Sequence, residues 1–172
     1  MPMNLEDYAG YPLIDAGDYE FSVSAEIKKA KNSNVDYLSV AFKIREDVDQ
    51  KFKNTVIFES FFRDKDNPEW FDLRKSGALI VTQKGKPDYT NKFDDVEEFV
   101  QYINGIHCIA SVEVVFDDNL NRDVNRIIRR SYKPSKWDTE DHPVPEKKPQ
   151  PEGVKDSANL DKIEIDPNKL PF

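Results

Sequence analysis

Positive charge is what this sequence has too little of for an obvious polyanion binder: 25 Lys+Arg stand against 33 Asp+Glu, a net charge of −8. Affinity for phosphate needs local positive charge, so a nucleic-acid surface here has to be a local stripe on an acidic protein. Cysteine is almost missing. Cys108 stands alone, which excludes an internal disulfide and points to a reducing interior. His107 and His142 are the only histidines, and with one cysteine they offer no zinc-like ligand spacing. No metal and no cofactor is expected. No apolar run approaches the eighteen residues of a membrane span, and Met1–Asp7 has neither the basic nor the apolar region of a signal peptide. A cytoplasmic location is the expectation, the host-cell cytoplasm if the chain is phage-encoded.

Catalytic signatures are equally scarce. Lys84-Gly85-Lys86-Pro87-Asp88-Tyr89 lacks the glycine spacing and the Ser/Thr of a P-loop. It reads as a plain turn more readily than as a loop clamping a ligand. Acids are plentiful at Glu46-Asp47-Val48-Asp49, Asp94-Asp95 and Asp117-Asp118, and a two-metal nuclease uses such residues. These fall in loops and helix caps, where solvation or capping accounts for them. There is no nucleophile elbow and no histidine base with a partner. The expectation is a protein that is not an enzyme.

What is present is alternation. Asp18–Lys28 places Tyr19, Phe21, Val23, Ala25 and Ile27 on one side, and Asp36–Ile44 places Leu38, Val40, Phe42 and Ile44 on one side. Period two marks half-buried strands, and the polar turn Lys31-Asn32-Ser33-Asn34 makes them a hairpin. Phe52–Arg63 reads as a third strand with aromatics on both faces: Phe58 and Phe62 on one, Phe61 with Arg63 on the other. Asn67-Pro68-Glu69 looks like a helix start, running to about Gln83, with Gly77 weakening it. Asp94 and Glu97 have capping-box spacing ahead of Val96, Phe99, Val100 and Ile103 at helical intervals, and Gly105 closes that helix. His107–Phe116 and Arg122–Tyr132 resume as strands. The entry segment before Gly17 offers Tyr8, Tyr11, Leu13 and Ile14 for packing.

The composition shifts after Lys133. Seven of the eleven prolines and nine acids against six bases lie in residues 134–172. Such a segment cannot bury enough apolar surface to offset its ordering entropy. The predicted organisation is therefore a folded domain over 1–133 and a disordered, Pro-rich, acidic tail over 134–172. Three strands, a helical segment and two strands give the order β-β-β-α-β-β, the layout of an OB-fold, a small five-stranded Greek-key barrel. A ferredoxin-like sandwich fits less well, because no helix separates the first two strands.

The tail ends Leu170-Pro171-Phe172 after Asp161, Glu164 and Asp166. This ending resembles the C-terminal tip of single-stranded-DNA-binding proteins, where acidic residues precede a final Pro-Phe that recruits replication and repair enzymes. Here Asn168-Lys169 interrupts the acids. In the body, Gly17-Asp18-Tyr19-Glu20-Phe21, Asp36-Tyr37-Leu38-Ser39-Val40, Phe58–Phe62 and Asn121-Arg122-Asp123-Val124 resemble a small phage family. That family was long catalogued as a domain of unknown function and is associated with single-stranded-DNA binding beside recombination genes. The resemblance, over about residues 12–133, implies an OB-like fold, no catalysis, and a replication or recombination role. The resemblance of the tip implies partner docking through Asp161, Glu164, Asp166, Pro171 and Phe172, with Leu170 beside them in the apolar tip.

Single-strand binding calls for a basic groove and aromatic platforms. The candidates are Lys28, Lys29, Lys31 and Lys43 around the first hairpin, with Arg45 beside them, and Arg122, Arg126 and Arg130 on the last strand. The aromatic candidates are Tyr37, Phe61 next to Arg63, and Tyr132. In an extended last strand Arg126, Arg130 and Tyr132 share a face and Arg129 points away. For any single member, core packing or an ordinary solvated charge is the simpler reading; the combination carries the expectation. The competing reading is a protein-interaction module with an OB-like body and no nucleic-acid function. Homo-oligomerisation is compatible with either.

Overall fold

The computed structural model describes residues 13–139 and 141–144. The expected strands form: β1 (Gly17–Lys29), β2 (Asp36–Ile44), β3 (Val56–Phe62), β4 (His107–Asp117) and β5 (Arg122–Ile127), joined by a short β6 (Lys133–Pro134). All pairings are antiparallel, in the order β3-β2-β1-β4-β5, with β6 also on β4. β5 comes back into contact with β3, so the sheet curls into an OB-like barrel with a seam between those two strands. The helical segment between β3 and β4 holds the two expected helices, α1 (Leu73–Val81) and α2 (Val96–Ile103). Among the described residues no helix is long and apolar enough to cross a membrane.

The inward faces follow the alternation where both neighbours are strands. Leu38, Val40, Phe42 and Ile44 are fully buried with Phe21 and Val23. Ile27 is exposed: β4 pairs with β1 only from Gly17 to Ser22, so this end of β1 has no β4 neighbour. Ile14 is buried and its backbone is held on both sides by the Asn125 side-chain amide of β5; Leu13 is exposed, and Tyr8 and Tyr11 lie outside the described residues.

The first helix departs from the sequence pattern. Asn67–Trp70 forms a turn closed by the Trp70 N–H on the Asn67 carbonyl. The helix begins at Leu73, capped by Asp72, which accepts the Lys75 N–H. A side chain that satisfies an orphan amide outweighs the Asn-Pro start signal. In α2 the cap sits one residue later than the spacing suggests. Asp95 accepts the Glu98 N–H, while the Glu98 carboxylate accepts the Asp94 N–H. Gly105 follows with φ 93°, a left-handed conformation suited to glycine.

The last strand is also interrupted. Val112 pairs with Ile127 and Ile109 pairs with Lys133, so five residues of one edge face two of the other. The extra residues bulge outward as a turn, Ile128–Ser131, closed by the Ser131 N–H on the Ile128 carbonyl, with Arg130 left-handed at φ 66°.

Candidate nucleic-acid interface

The outward face of β1, β2 and β3 is set by register. Cross-strand partners share a face, so Lys28, Tyr37 and Phe62 form one row. Glu26, Ser39 and Ser60 form the next, Ser24, Ala41 and Phe58 the third, and Ser22, Lys43 and Val56 the last. Phe62 is 63% exposed and Phe58 39%, and the Tyr37 and Phe62 rings lie 6.2 Å apart at 42°. The two phenylalanines sit four residues apart, about 13 Å along the strand. Serines and an alanine between and beside them leave the face shallow. The result is a row of outward rings edged by Lys28 at one end and Lys43 at the other.

The structure corrects several sequence-based assignments. Phe61 is fully buried and Phe62 is the exposed neighbour, the reverse of the expectation; Phe61 pairs with the inward-facing Leu38. Tyr132 packs its ring flat on Phe42, centroids 5.5 Å apart at 12°. Burial raises its phenol well above the ordinary tyrosine range, with Glu59 next in effect. It closes the core and is no stacking platform. Arg63 is engaged, bonded to Asp36 at 3.2 Å with its guanidinium 4.1 Å over the Phe71 ring. Lys29 lies opposite Asp36, on the other side of β1 from Lys28. Lys31 sits in the exposed β1–β2 turn. Arg122 is exposed at the start of β5, and Arg126 is bonded to Asp117 at 2.9 Å while still half open. Arg126, Arg130 and Tyr132 do not share one strand face, because the bulge intervenes.

That bulge places Arg129 and Arg130 over a cleft of about 250 Å³ at the β3–β5 seam, lined also by Glu59, Asp72, Lys75, Ile127 and Tyr132. Both arginines are exposed and neither forms an ion pair among the described residues. Glu59 projects inward between Phe58 and Ser60. Burial pushes its carboxyl up, countered by Lys75 at 3.4 Å.

Arg45, grouped with the surface lysines by sequence, is 2% exposed. Its guanidinium donates to Asp47 (2.9 and 2.8 Å), Ser135 (3.2 Å) and Asp138 (3.2 Å). Asp138 also meets Lys86 Nζ at 2.9 Å and His107 Nδ1 at 3.0 Å. Glu20, buried on β1, accepts the Ser135 hydroxyl at 2.7 Å and the Lys136 N–H at 2.9 Å. The packed chain therefore continues past Lys133 to at least Asp138, beyond the expected boundary. The Lys84–Tyr89 turn serves this network through Lys86.

Burial alone would raise the Asp138 carboxyl, but the hydrogen bonds from His107 and Lys86 hold it well below the usual carboxylate range. A depressed folded-state pKa contributes stability above the unfolded value, near 4, that is lost as pH falls toward the folded one. Urea midpoints measured from pH 6 to pH 2 should therefore fall steeply below about pH 4, and an Asp138→Asn variant should be less stable at pH 6 with a shallower acid slope. Equal slopes would remove Asp138 from the acid response.

Cys108 is buried, and burial followed by Glu20 pushes its thiol up to about 12, which makes it inert. No group of three or more His, Cys, Asp and Glu side chains suited to a metal occurs among the described residues. A second, more apolar groove of about 480 Å³ lies between α1 and α2, with Trp70, Tyr89 and Phe93 on its walls. The tail candidates Asp161, Glu164, Asp166, Leu170, Pro171 and Phe172 lie outside the described residues. Residues 4–145 match the model of a family described as a protein of unknown function (DUF669). No curated protein matches the chain.

Proposed function

The chain belongs to the DUF669 family, and from that premise we propose that it is a non-enzymatic single-stranded-DNA-binding protein. The observation that carries this reading is the row of outward rings, exposed Phe58 and Phe62 with half-buried Tyr37, on one face of the β1–β2–β3 sheet. Every base has a π-face, so rings of this kind bind single strands with little sequence preference, whereas bases paired in a duplex are out of reach. The strand 2–3 face is also where OB-folds take oligonucleotides. Lys28 and Lys43 at the ends of the row, and the nearby Arg129–Arg130 turn, supply phosphate contacts that the overall charge of −8 would otherwise deny. In this reading the tip Leu170-Pro171-Phe172, with Asp161, Glu164 and Asp166 before it, docks enzymes of phage replication or recombination. The aromatic groove beside α1 favours a second reading, a protein-interaction module without nucleic-acid binding.

Fluorescence anisotropy of a labelled oligo-dT and of a duplex of equal length, at 50 and 200 mM salt, separates the two. The expected result is saturable binding of the single strand that weakens about tenfold or more over that salt range and exceeds duplex binding. Binding to neither at either salt leaves the interaction module.

A further inference from the structure

The seam cleft has a mixed lining that neither the stacking face nor the phosphate contacts explain. We propose that it is a base pocket that receives one unstacked guanine from the strand lying on the aromatic face. This inference rests on the single-strand reading above and adds a base preference to it.

The cleft and the stacking row share β3, an edge strand, and lie on its two faces. Phe58 and Phe62 present their rings outward from β3, while Glu59 between them turns to the cleft. The Asp72 N–H donates to the Phe62 carbonyl at 2.8 Å, which ties the backbone of the cleft wall to that of β3. In this proposal the strand passes from the outward rings over the free edge of β3, where the cleft opens at the seam. At about 250 Å³ the cleft holds a purine but not a nucleotide with its sugar and phosphate.

The chemistry selects the ligand. Glu59 is occupied by Lys75 and by the Ile127 N–H. Asp72 uses Oδ1 to cap α1, and its Oδ2 carries no hydrogen bond among the described residues. The free groups are therefore one carboxylate oxygen, the Tyr132 hydroxyl and the guanidiniums of Arg129 and Arg130. With Glu59 and Lys75 paired, two arginines and the Asp72 carboxylate remain: a phosphate there would also meet Asp72, and an amine would also meet the two arginines. A base edge presents donors and acceptors together. Guanine matches best: N1–H or the N2 amine donates to the open Asp72 Oδ2, while O6 and N7 accept from an arginine fork. Thymine sets a single N–H between two carbonyls and opposes the carboxylate. The bulge fits this role, since it extrudes two arginines from an edge strand at the cost of ladder pairing and a left-handed Arg130.

The test is competition between dT15 and the same oligomer with one central dG, a design that avoids G-quadruplexes. The dG oligomer should bind about tenfold tighter, and Asp72→Asn, which keeps a capping oxygen, should bring it back to the dT15 level. Equal affinities in the wild-type protein overturn the proposal, as does a dG preference that survives Asp72→Asn. A second arm uses free dGMP and dTMP, followed by amide NMR. Saturable shifts at Asp72 and Arg130 with dGMP alone support the pocket; no shifts with dGMP overturn it. Failure of dT15 itself to bind counts against the single-strand reading and is thereby separated from failure of the base pocket.

Discussion

Truncation after Lys133 should lower the melting temperature by roughly 10 °C, whereas truncation after Val144 should leave it unchanged within about 1 °C. The reason lies in the charges buried under the segment that follows β6. Arg45 is 2% exposed and Glu20 6%. Removing residues 134–172 deletes Ser135 and Asp138 from the guanidinium, and the Ser135 hydroxyl and Lys136 N–H from the Glu20 carboxylate. It also leaves His107 and Lys86 without their shared carboxylate. Stripping a partner from a buried ion costs about 3–5 kcal/mol, because the remaining charge stays desolvated. Asp47 still holds Arg45 through two bonds at 2.9 and 2.8 Å, so the low end of that range applies. Calorimetry of both truncations against the full chain measures the difference. Equal melting temperatures for the two would show that the segment is an ornament on a complete barrel. The same result decides how tail deletions are to be read. Any test of the tail's effect on DNA binding belongs on the chain cut after Val144, since a cut after Lys133 confounds tail loss with core damage.

The barrel was largely legible because its inner face obeys period two. The run Leu38, Val40, Phe42, Ile44 carries the same register through β1 and β3, and all four residues are fully buried. What the alternation left open is which side of β3 faces in, since both sides carry aromatics. That parity is set by pairing with β2. Once Leu38 is inward, its partner Phe61 follows, and Phe62 must lie out beside Tyr37. Register is a long-range property that no window within β3 contains. The arginines of the last strand misled for a related reason. Their spacing suits one extended face, but Ser111 bonds the backbone and side chain across the bulge instead of continuing the ladder. The Arg45–Asp138 contact, spanning 93 residues, joins two stretches that separately read as a charged loop and a polar tail. Val48 in the first and Trp137 in the second are the apolar residues that the charged and polar surroundings obscure.

Replacing Tyr37, Phe58 and Phe62 together by alanine should weaken oligo-dT binding by a hundredfold or more and leave the fold intact. Each ring that stacks on a base contributes about 1–3 kcal/mol; three at the low end give about 3 kcal/mol, or roughly two decades in Kd. Phe58 and Phe62 are exposed and Tyr37 is half-buried on the outer face, so the truncations open no internal cavity. The salt dependence should survive, because Lys28, Lys43 and the Arg129–Arg130 turn are untouched, and this separates lost stacking from lost charge. Phe61→Ala is the contrasting variant: it removes a fully buried ring and should cost about 3–5 kcal/mol of stability. The decisive measurement is anisotropy of labelled dT15 with the wild-type chain and the triple variant, side by side at 50 mM salt, with melting curves on the same samples. Tight binding by the first and a hundredfold loss in an equally stable second is the result predicted for a stacking face on β1–β2–β3. Unchanged affinity in a folded triple variant would contradict it and move the strand off this face.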